Sequence, residues 1–184
     1  MRCGIAPHAP ILVKFMEYHF LFRAEGKHEM EFSGTQTIDV PIQTVWAYLL
    51  DVRKVAACAP GFQSLEDVGE EHWKAIISIG IGPVKAKFNL DVTRPEKHEP
   101  DRMVVKGRGK APGSAVELAG TMQLTSTSPN ETRMDWNANV VVSGTLASIG
   151  ARLMNSTAEK LTEQFFTCLK SNLTEAETAE NPAS

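Results

Sequence analysis

The sequence has no uninterrupted apolar run long enough to form a membrane-spanning helix. Its longest apolar stretch, residues 11–22, contains Lys14, Glu17 and His19, whereas a span needs about 20 predominantly apolar residues. These charges, and the lack of a small-residue cleavage site after them, also argue against a secretory signal peptide. We therefore expect a cytoplasmic protein.

Cysteine is scarce as well. Cys3, Cys58 and Cys168 lie far apart and form no CxxC pair. Such spacing is not typical of a disulfide framework or a zinc site, so we expect a reducing compartment and a core position for Cys58. His72 and His98 are not at ligand spacing from another histidine or cysteine, and we expect no metal.

A strong excess of one charge is also missing. The 184 residues carry a net charge of -3, and 42% of them are hydrophobic and 22% charged. These are ordinary values for a globular protein, and the length suits one domain with extra residues at its ends. A weakly acidic chain gives no reason to expect nucleic acid as a partner.

The first 29 residues differ from the rest, because they show neither strict alternation nor a helical period. We expect the folded domain to begin at Met30 and residues 1–29 to be an extension outside it. The alternative is an amphipathic arm built on Phe15, Tyr18, Phe20 and Phe22.

Residues 31–93 predict a strand, short helices and then more strands. Residues 31–40 alternate as a strand, and Val45, Trp46 and Leu49 follow at helical spacing. A second short helix is predicted over 51–58 and ends before a Pro-Gly pair. Strands then follow at 62–68 and 73–79, and residues 84–93 show the clearest alternation of the chain.

The rest of the chain predicts further strands and then one long helix. Strands are expected at 103–106, 116–124 and 134–142, with 107–113 as a mobile hairpin that could act as a lid. Apolar residues then recur at helical spacing over 145–173, which predicts a helix of about 43 Å. The acidic segment 174–184 is expected to be disordered.

This order of elements predicts an α+β protein with a helix-grip fold. A curled antiparallel sheet of about seven strands would surround the C-terminal helix, because only that helix is large enough to cover the apolar face. The gap between them would be a ligand cavity. The predicted ligand-binding residues are Trp46, Leu49, Phe62, Trp73, Ile77, Phe88, Leu90, Leu118, Met122, Trp136, Leu146, Ile149 and Leu153.

Phe165 and Phe166 are adjacent in the long helix and point about 100° apart. One of them can join the core while the other stays exposed. An exposed phenylalanine would be a docking point for a membrane or a protein.

Four motifs occur in order between residues 30 and 173. They are Val45, Trp46, Leu49 and Asp51; Cys58, Pro60, Gly61, Ser64 and Leu65; Gly82, Pro83, Val84 and Lys85; and a helical set of Gly144, Leu146, Ala147, Gly150, Arg152, Leu153, Leu161, Gln164, Phe165, Phe166 and Leu169. In these motifs the sequence resembles the CoxG family of carbon monoxide dehydrogenase subunits, part of the START-like superfamily of helix-grip domains.

The resemblance implies an accessory role beside a molybdenum-containing carbon monoxide dehydrogenase or a related molybdenum hydroxylase. It also implies peripheral association with the inner face of the membrane and an apolar ligand such as a quinone or a lipid. No covalent or metal cofactor is implied.

Two other functions remain open. START-like domains include cyclases and hydrolases, but an enzyme would need a buried ionisable pair in the cavity, and the inward faces assigned from the sequence are almost wholly apolar. An assembly chaperone for the molybdenum enzyme would act by surface contacts alone, and a cavity too small for a ligand would favour it.

Overall fold

The computed structural model describes residues 26–180, with side chains through residue 177. Seven strands form one antiparallel sheet in the order β1-β7-β6-β5-β4-β3-β2. The bounds of the strands are β1 Lys27–Ile38, β2 Phe62–Gly69, β3 His72–Ile81, β4 Val84–His98, β5 Arg102–Ala111, β6 Ser114–Ser128 and β7 Glu131–Gly144. The predicted α+β class and helix-grip architecture are confirmed.

Two short helices follow the first strand, as predicted. They are α1 Ile42–Leu50 and α2 Val52–Ala57. The side chain of Asp51 accepts hydrogen bonds from the backbone N–H groups of Arg53 and Lys54. This N-cap separates the two helices, because it satisfies amide groups that have no partner in the first turn of α2.

The C-terminal helix α3 spans Ala151–Glu180 and is about 45 Å long at 1.5 Å per residue. It contacts β1, at one edge of the sheet, and β3, next to the other edge. A helix can reach both regions only if the sheet curls around it. Within residues 26–180, no helix combines the length and the apolar character that a membrane crossing requires.

Three predicted boundaries differ from the structure. Strand β1 starts at Lys27, because residues 27–29 pair with Val141, Val142 and Ser143 of β7. These three residues of the expected extension therefore belong to the sheet, while the alternative arm around Phe15 lies outside the described residues.

The long helix is also divided and extended relative to the prediction. Thr145–Ile149 form a 3₁₀ turn, and Gly150, at φ +101°, separates it from α3. A positive φ is a conformation that glycine adopts at little cost and that interrupts a helix. At the other end, residues 174–180 are helical rather than disordered, since alanine and glutamate there are good helix formers.

The core has two parts. The first, which we call the filled end, lies between α1, the C-terminal half of α3 and one end of the sheet. Its buried residues include Ile38, Val45, Trp46, Met134 and Leu169. The second part surrounds Phe88, Val142 and Met154 at the opposite end of the sheet, and we call it the cavity end.

A charged residue also lies on the inner face at the filled end. Arg94 follows the alternation of β4 and is 8% exposed. Its guanidinium lies 5.2 Å from the ring centroid of Trp73, and it donates hydrogen bonds to the carbonyls of Leu49 and Leu50 at the end of α1. It also pairs with Glu71, which was expected to be solvated. The ion pair therefore ties α1 to the sheet.

The structure contradicts the expectation about cysteine. Cys58, just after α2, forms a disulfide with Cys168 of α3, with 5.5 Å between their Cα atoms. The Asn172 amide donates to Tyr48 Oη at 2.9 Å and lies 3.3 Å from Cys58 Sγ. The pairing could not be read from the sequence, because 110 residues separate the cysteines and only the docking of α3 brings them together.

Reduction of this disulfide should destabilise the fold. A cross-link closing so long a loop removes much of the entropy of the unfolded chain, so we expect reductant to lower the free energy of unfolding by up to about 4 kcal/mol. Cys168→Ser should show a similar loss, and reductant should add nothing to it. Denaturant unfolding with a thiol assay measures both. An unchanged midpoint despite newly released thiols would contradict the expectation.

The Glu71–Arg94 pair should make stability depend on acid pH. The hydrogen bond from Arg94 holds the pKa of Glu71 below its ordinary value. Its stabilisation is therefore complete above the pKa of the unfolded state and is lost as pH falls through the lower folded pKa. We expect Glu71→Gln to cost about 1 kcal/mol at pH 7 and less at pH 3.

Glu70→Gln is the matched control for this substitution, because Glu70 is the adjacent, exposed glutamate. Urea unfolding at the two pH values measures the difference. Equal losses for Glu71→Gln at both pH values would show that the ion pair does not carry the pH dependence.

Candidate functional site: an apolar cavity

A cavity of about 350 Å³ lies at the cavity end, between the inner face of the sheet and the first half of α3. Every strand from β3 to β7, together with β1, contributes residues to its wall. The lining residues are Met30, Phe32, Ile77, Ile79, Ile81, Phe88, Leu90, Val92, Val105, Gly107, Gly109, Val116, Leu118, Trp136, Ala138, Val140, Val142, Leu146, Met154, Thr157, Ala158, Leu161 and Thr162.

Small residues on the inner face keep this end hollow. Gly107 and Gly109 belong to β5 and line the cavity, so the predicted hairpin and lid over 107–113 is wrong for these residues. A Cβ at Gly109 would lie 2.6 Å from Leu90 and 2.6 Å from Val116. The neighbours already approach the backbone there, and β5 adds no side chain that could fill the centre.

Leu118 shows that the space is not packed. It lies on the inner face of β6 and lines the cavity, yet 40% of its surface is exposed. Protein interiors are normally close-packed, and a void of this size costs stability. An apolar ligand would remove that cost by covering Leu118 and its neighbours.

The wall carries no titratable side chain. Its polar side-chain groups are the hydroxyls of Thr157 and Thr162 and the indole N–H of Trp136. The Thr157 hydroxyl already donates to the Leu153 carbonyl at 2.8 Å. Trp136 Nε1 is buried without a hydrogen-bond partner and lies 3.1 Å from the point that a Cβ on Gly34 would occupy, so the indole packs against β1.

A second, polar space of about 400 Å³ adjoins the cavity between α3 and the start of the β3–β4 turn. We call it the polar annex. It shares Ile79, Thr157 and Leu161 with the cavity wall. Its other lining residues are Pro60, Gly61, Ser78, Gly80, Gly82, Leu153, Ser156, Lys160 and Gln164.

The CoxG family, whose description is that of a carbon monoxide dehydrogenase subunit, matches residues 34–174. This is most of the chain and includes both ends of the core. The chain belongs to the CoxG family. No protein of curated function matches the sequence.

Solved structures show the same fold. A conserved protein from Geobacillus kaustophilus is 25% identical with a TM-score of 0.75, and the match covers 80% of this chain and 97% of that one. A START superfamily protein from Mycobacterium smegmatis is 10% identical with a TM-score of 0.61, covering 79% and 98%. The ZhuI aromatase/cyclase from a Streptomyces species is 14% identical with a TM-score of 0.60, covering 82% and 95%.

Part of the predicted ligand set lines the cavity of this CoxG-family chain. These residues are Ile77, Phe88, Leu90, Leu118, Trp136 and Leu146. Leu153 lines the polar annex instead. All the strand members among them lie on the inner face, as the alternation indicated.

The other predicted ligand residues do not line the cavity. Trp46, Leu49, Met122 and Trp73 are at or beside the filled end, Phe62 is on the edge strand β2, and Ile149 packs behind the wall. Alternation identifies the face of a strand but not the position along it, and this is why residues of the correct face were assigned to the wrong end of the sheet.

Other wall residues were missed although a signal existed. Met30 and Phe32 share the inner face of β1, and Val140 and Val142 continue the face of Trp136. On α3, Met154, Ala158 and Leu161 follow the spacing of one helix face. Thr157 and Thr162 carry no apolar signal, and only the structure places them in the wall.

The proposed docking pair is corrected in part. Phe166 is 8% exposed and packs on Trp136, with 5.1 Å between ring centroids. It therefore belongs to the core, because its face of α3 points into the sheet. Phe165 is half-buried and meets Phe166 edge to face at 5.3 Å. Its role in docking stays a prediction.

Filling the cavity should block ligand uptake without harming the fold. Leu118→Trp adds apolar volume where nothing packs, so we expect unchanged or slightly higher stability and loss of binding of an uncharged apolar dye. Val68→Trp, on the exposed part of β2, is the matched control and should bind normally. Normal dye binding by a folded Leu118→Trp variant would show that the dye binds elsewhere.

Proposed function

We propose that this CoxG-family protein binds a quinone or a similar lipid-like molecule in its cavity and couples a molybdenum-containing carbon monoxide dehydrogenase-type enzyme to the membrane. The observation that carries the proposal is the cavity of about 350 Å³ with no titratable side chain in its wall.

The chemistry of the wall restricts the ligand class. Leucine, valine, isoleucine, phenylalanine and methionine side chains surround the space, and burying a charged group among them would be costly. Burial of apolar surface is favourable by about 25 cal/mol per Å², so the wall favours an uncharged ligand with a hydrocarbon ring or tail. The volume lies within the range of small-molecule sites.

Family membership supports the partner. The family is described as a subunit of carbon monoxide dehydrogenase, and a quinone is an electron acceptor that resides in the membrane. A protein that holds a quinone beside such an enzyme would supply an acceptor for its electrons. We therefore propose a peripheral position at the inner face of the membrane.

An enzyme of the cyclase or hydrolase type has weaker support. Acid–base catalysis needs an ionisable group within reach of the substrate, and the cavity wall contains none. Within the described part of the chain, no group of three or more His, Cys, Asp or Glu side chains could hold a metal ion. A chaperone acting by its surface alone would not need the cavity.

Mass spectrometry of an organic extract tests the proposal. The full chain, purified without detergent from a quinone-containing host, should yield about one quinone or lipid per protein, whereas Leu118→Trp prepared in parallel should yield much less. An empty wild-type protein that also fails to take up added quinone would overturn the proposal.

A further inference from the structure

We infer that the polar annex receives the oxygen-bearing head of the ligand, with Lys160 as its main hydrogen-bond donor, while the tail fills the cavity. This inference rests on the proposed function and deepens it, because it assigns the two ends of one amphipathic molecule to two adjoining spaces.

The two spaces meet along α3 and β3. Ile79, Thr157 and Leu161 line both of them. The wall thus changes from apolar to polar within about one turn of α3, from Leu161 to Lys160 and Gln164. A molecule that is apolar over most of its length and polar at one end matches this arrangement.

The annex offers donors that the fold itself does not use. Among residues 26–177, the side chains of Lys160, Gln164 and Ser78 form no hydrogen bond or ion pair, and no carboxylate lines the annex. The Ser156 and Thr157 hydroxyls both donate to the Leu153 carbonyl, so toward a ligand they can only accept. The remaining donors suit a group that accepts hydrogen bonds, such as a carbonyl oxygen.

The cavity itself cannot satisfy such a head. Trp136 Nε1 faces Gly34 rather than open space, and Trp46 Nε1 is buried at the filled end. Thr162 contributes the one lining hydroxyl without a partner among the described residues. A quinone has two carbonyls, and burying both there would leave at least one without a hydrogen bond, which is unfavourable.

The position of the annex depends on a close approach of the β3–β4 turn to α3. Gly82 has φ +58°, and a Cβ there would lie 2.7 Å from Leu153 Cδ2. The turn therefore touches α3 one helical turn before Ser156 and Lys160. This contact leaves the annex bounded on one side while Lys160 remains exposed.

Two matched ligands test the inference on the full chain. One is a 1,4-naphthoquinone with a prenyl tail, and the other is a naphthalene with the same tail and no oxygen. Their dissociation constants are measured by displacement of an uncharged fluorescent dye. The proteins are the wild type, Lys160→Ala, Lys160→Gln and the control Lys170→Ala, since Lys170 is on α3 but lines neither space.

We expect Lys160→Ala to weaken binding of the quinone about tenfold and to change binding of the naphthalene by less than about twofold. Lys160→Gln keeps a donor and should lose less than Lys160→Ala. Lys170→Ala should match the wild type with both ligands.

The opposite results separate the two proposals. If Lys160→Ala affects both ligands equally or neither, or if the wild type does not distinguish them, the cavity still binds apolar molecules and the headgroup inference is wrong. If the wild type binds neither ligand, the proposed function fails, and the inference fails with it.

Discussion

The structure depends on one constraint, which is that a single helix must cover the apolar face of a seven-stranded sheet. Leu169 and Leu173 of α3 are 0% exposed, and they dock the C-terminal half of the helix against α1 and the filled end. The first half of α3 lies over strands whose inner faces carry glycine and alanine. Because α3 is continuous, tight packing at one end holds it over a hollow at the other.

This arrangement separates stability from binding. The disulfide, the Arg94–Glu71 ion pair and the largest cluster of fully buried side chains are all at or beside the filled end. The cavity end contains the unpacked Leu118 and the polar annex. The filled end can therefore supply the free energy that an empty cavity costs, and the cavity can remain open to a ligand without loss of the fold.

The sequence predicted the architecture well, because hydrophobic periodicity reports directly on which face of each element is buried. The strict alternation around Phe88 and Leu90 identified both the strand and its inner face. The helical spacing that includes Leu161, Leu169 and Leu173 identified the covering helix. The site was predicted less completely, since Trp46 and Phe88 have equivalent patterns and yet lie in different parts of the core.

The disulfide and the polar annex were beyond such patterns. Cys58 and Cys168 come together only through the docking of α3 on α2, and Lys160 has the ordinary appearance of a solvated helix residue. By itself the sequence determined the elements, their buried faces and the family, because these depend on local period and on motifs. Only the tertiary structure decided which end of the sheet stays hollow, which cysteines pair and which polar groups border the cavity, because each of these depends on distances between residues far apart in the chain.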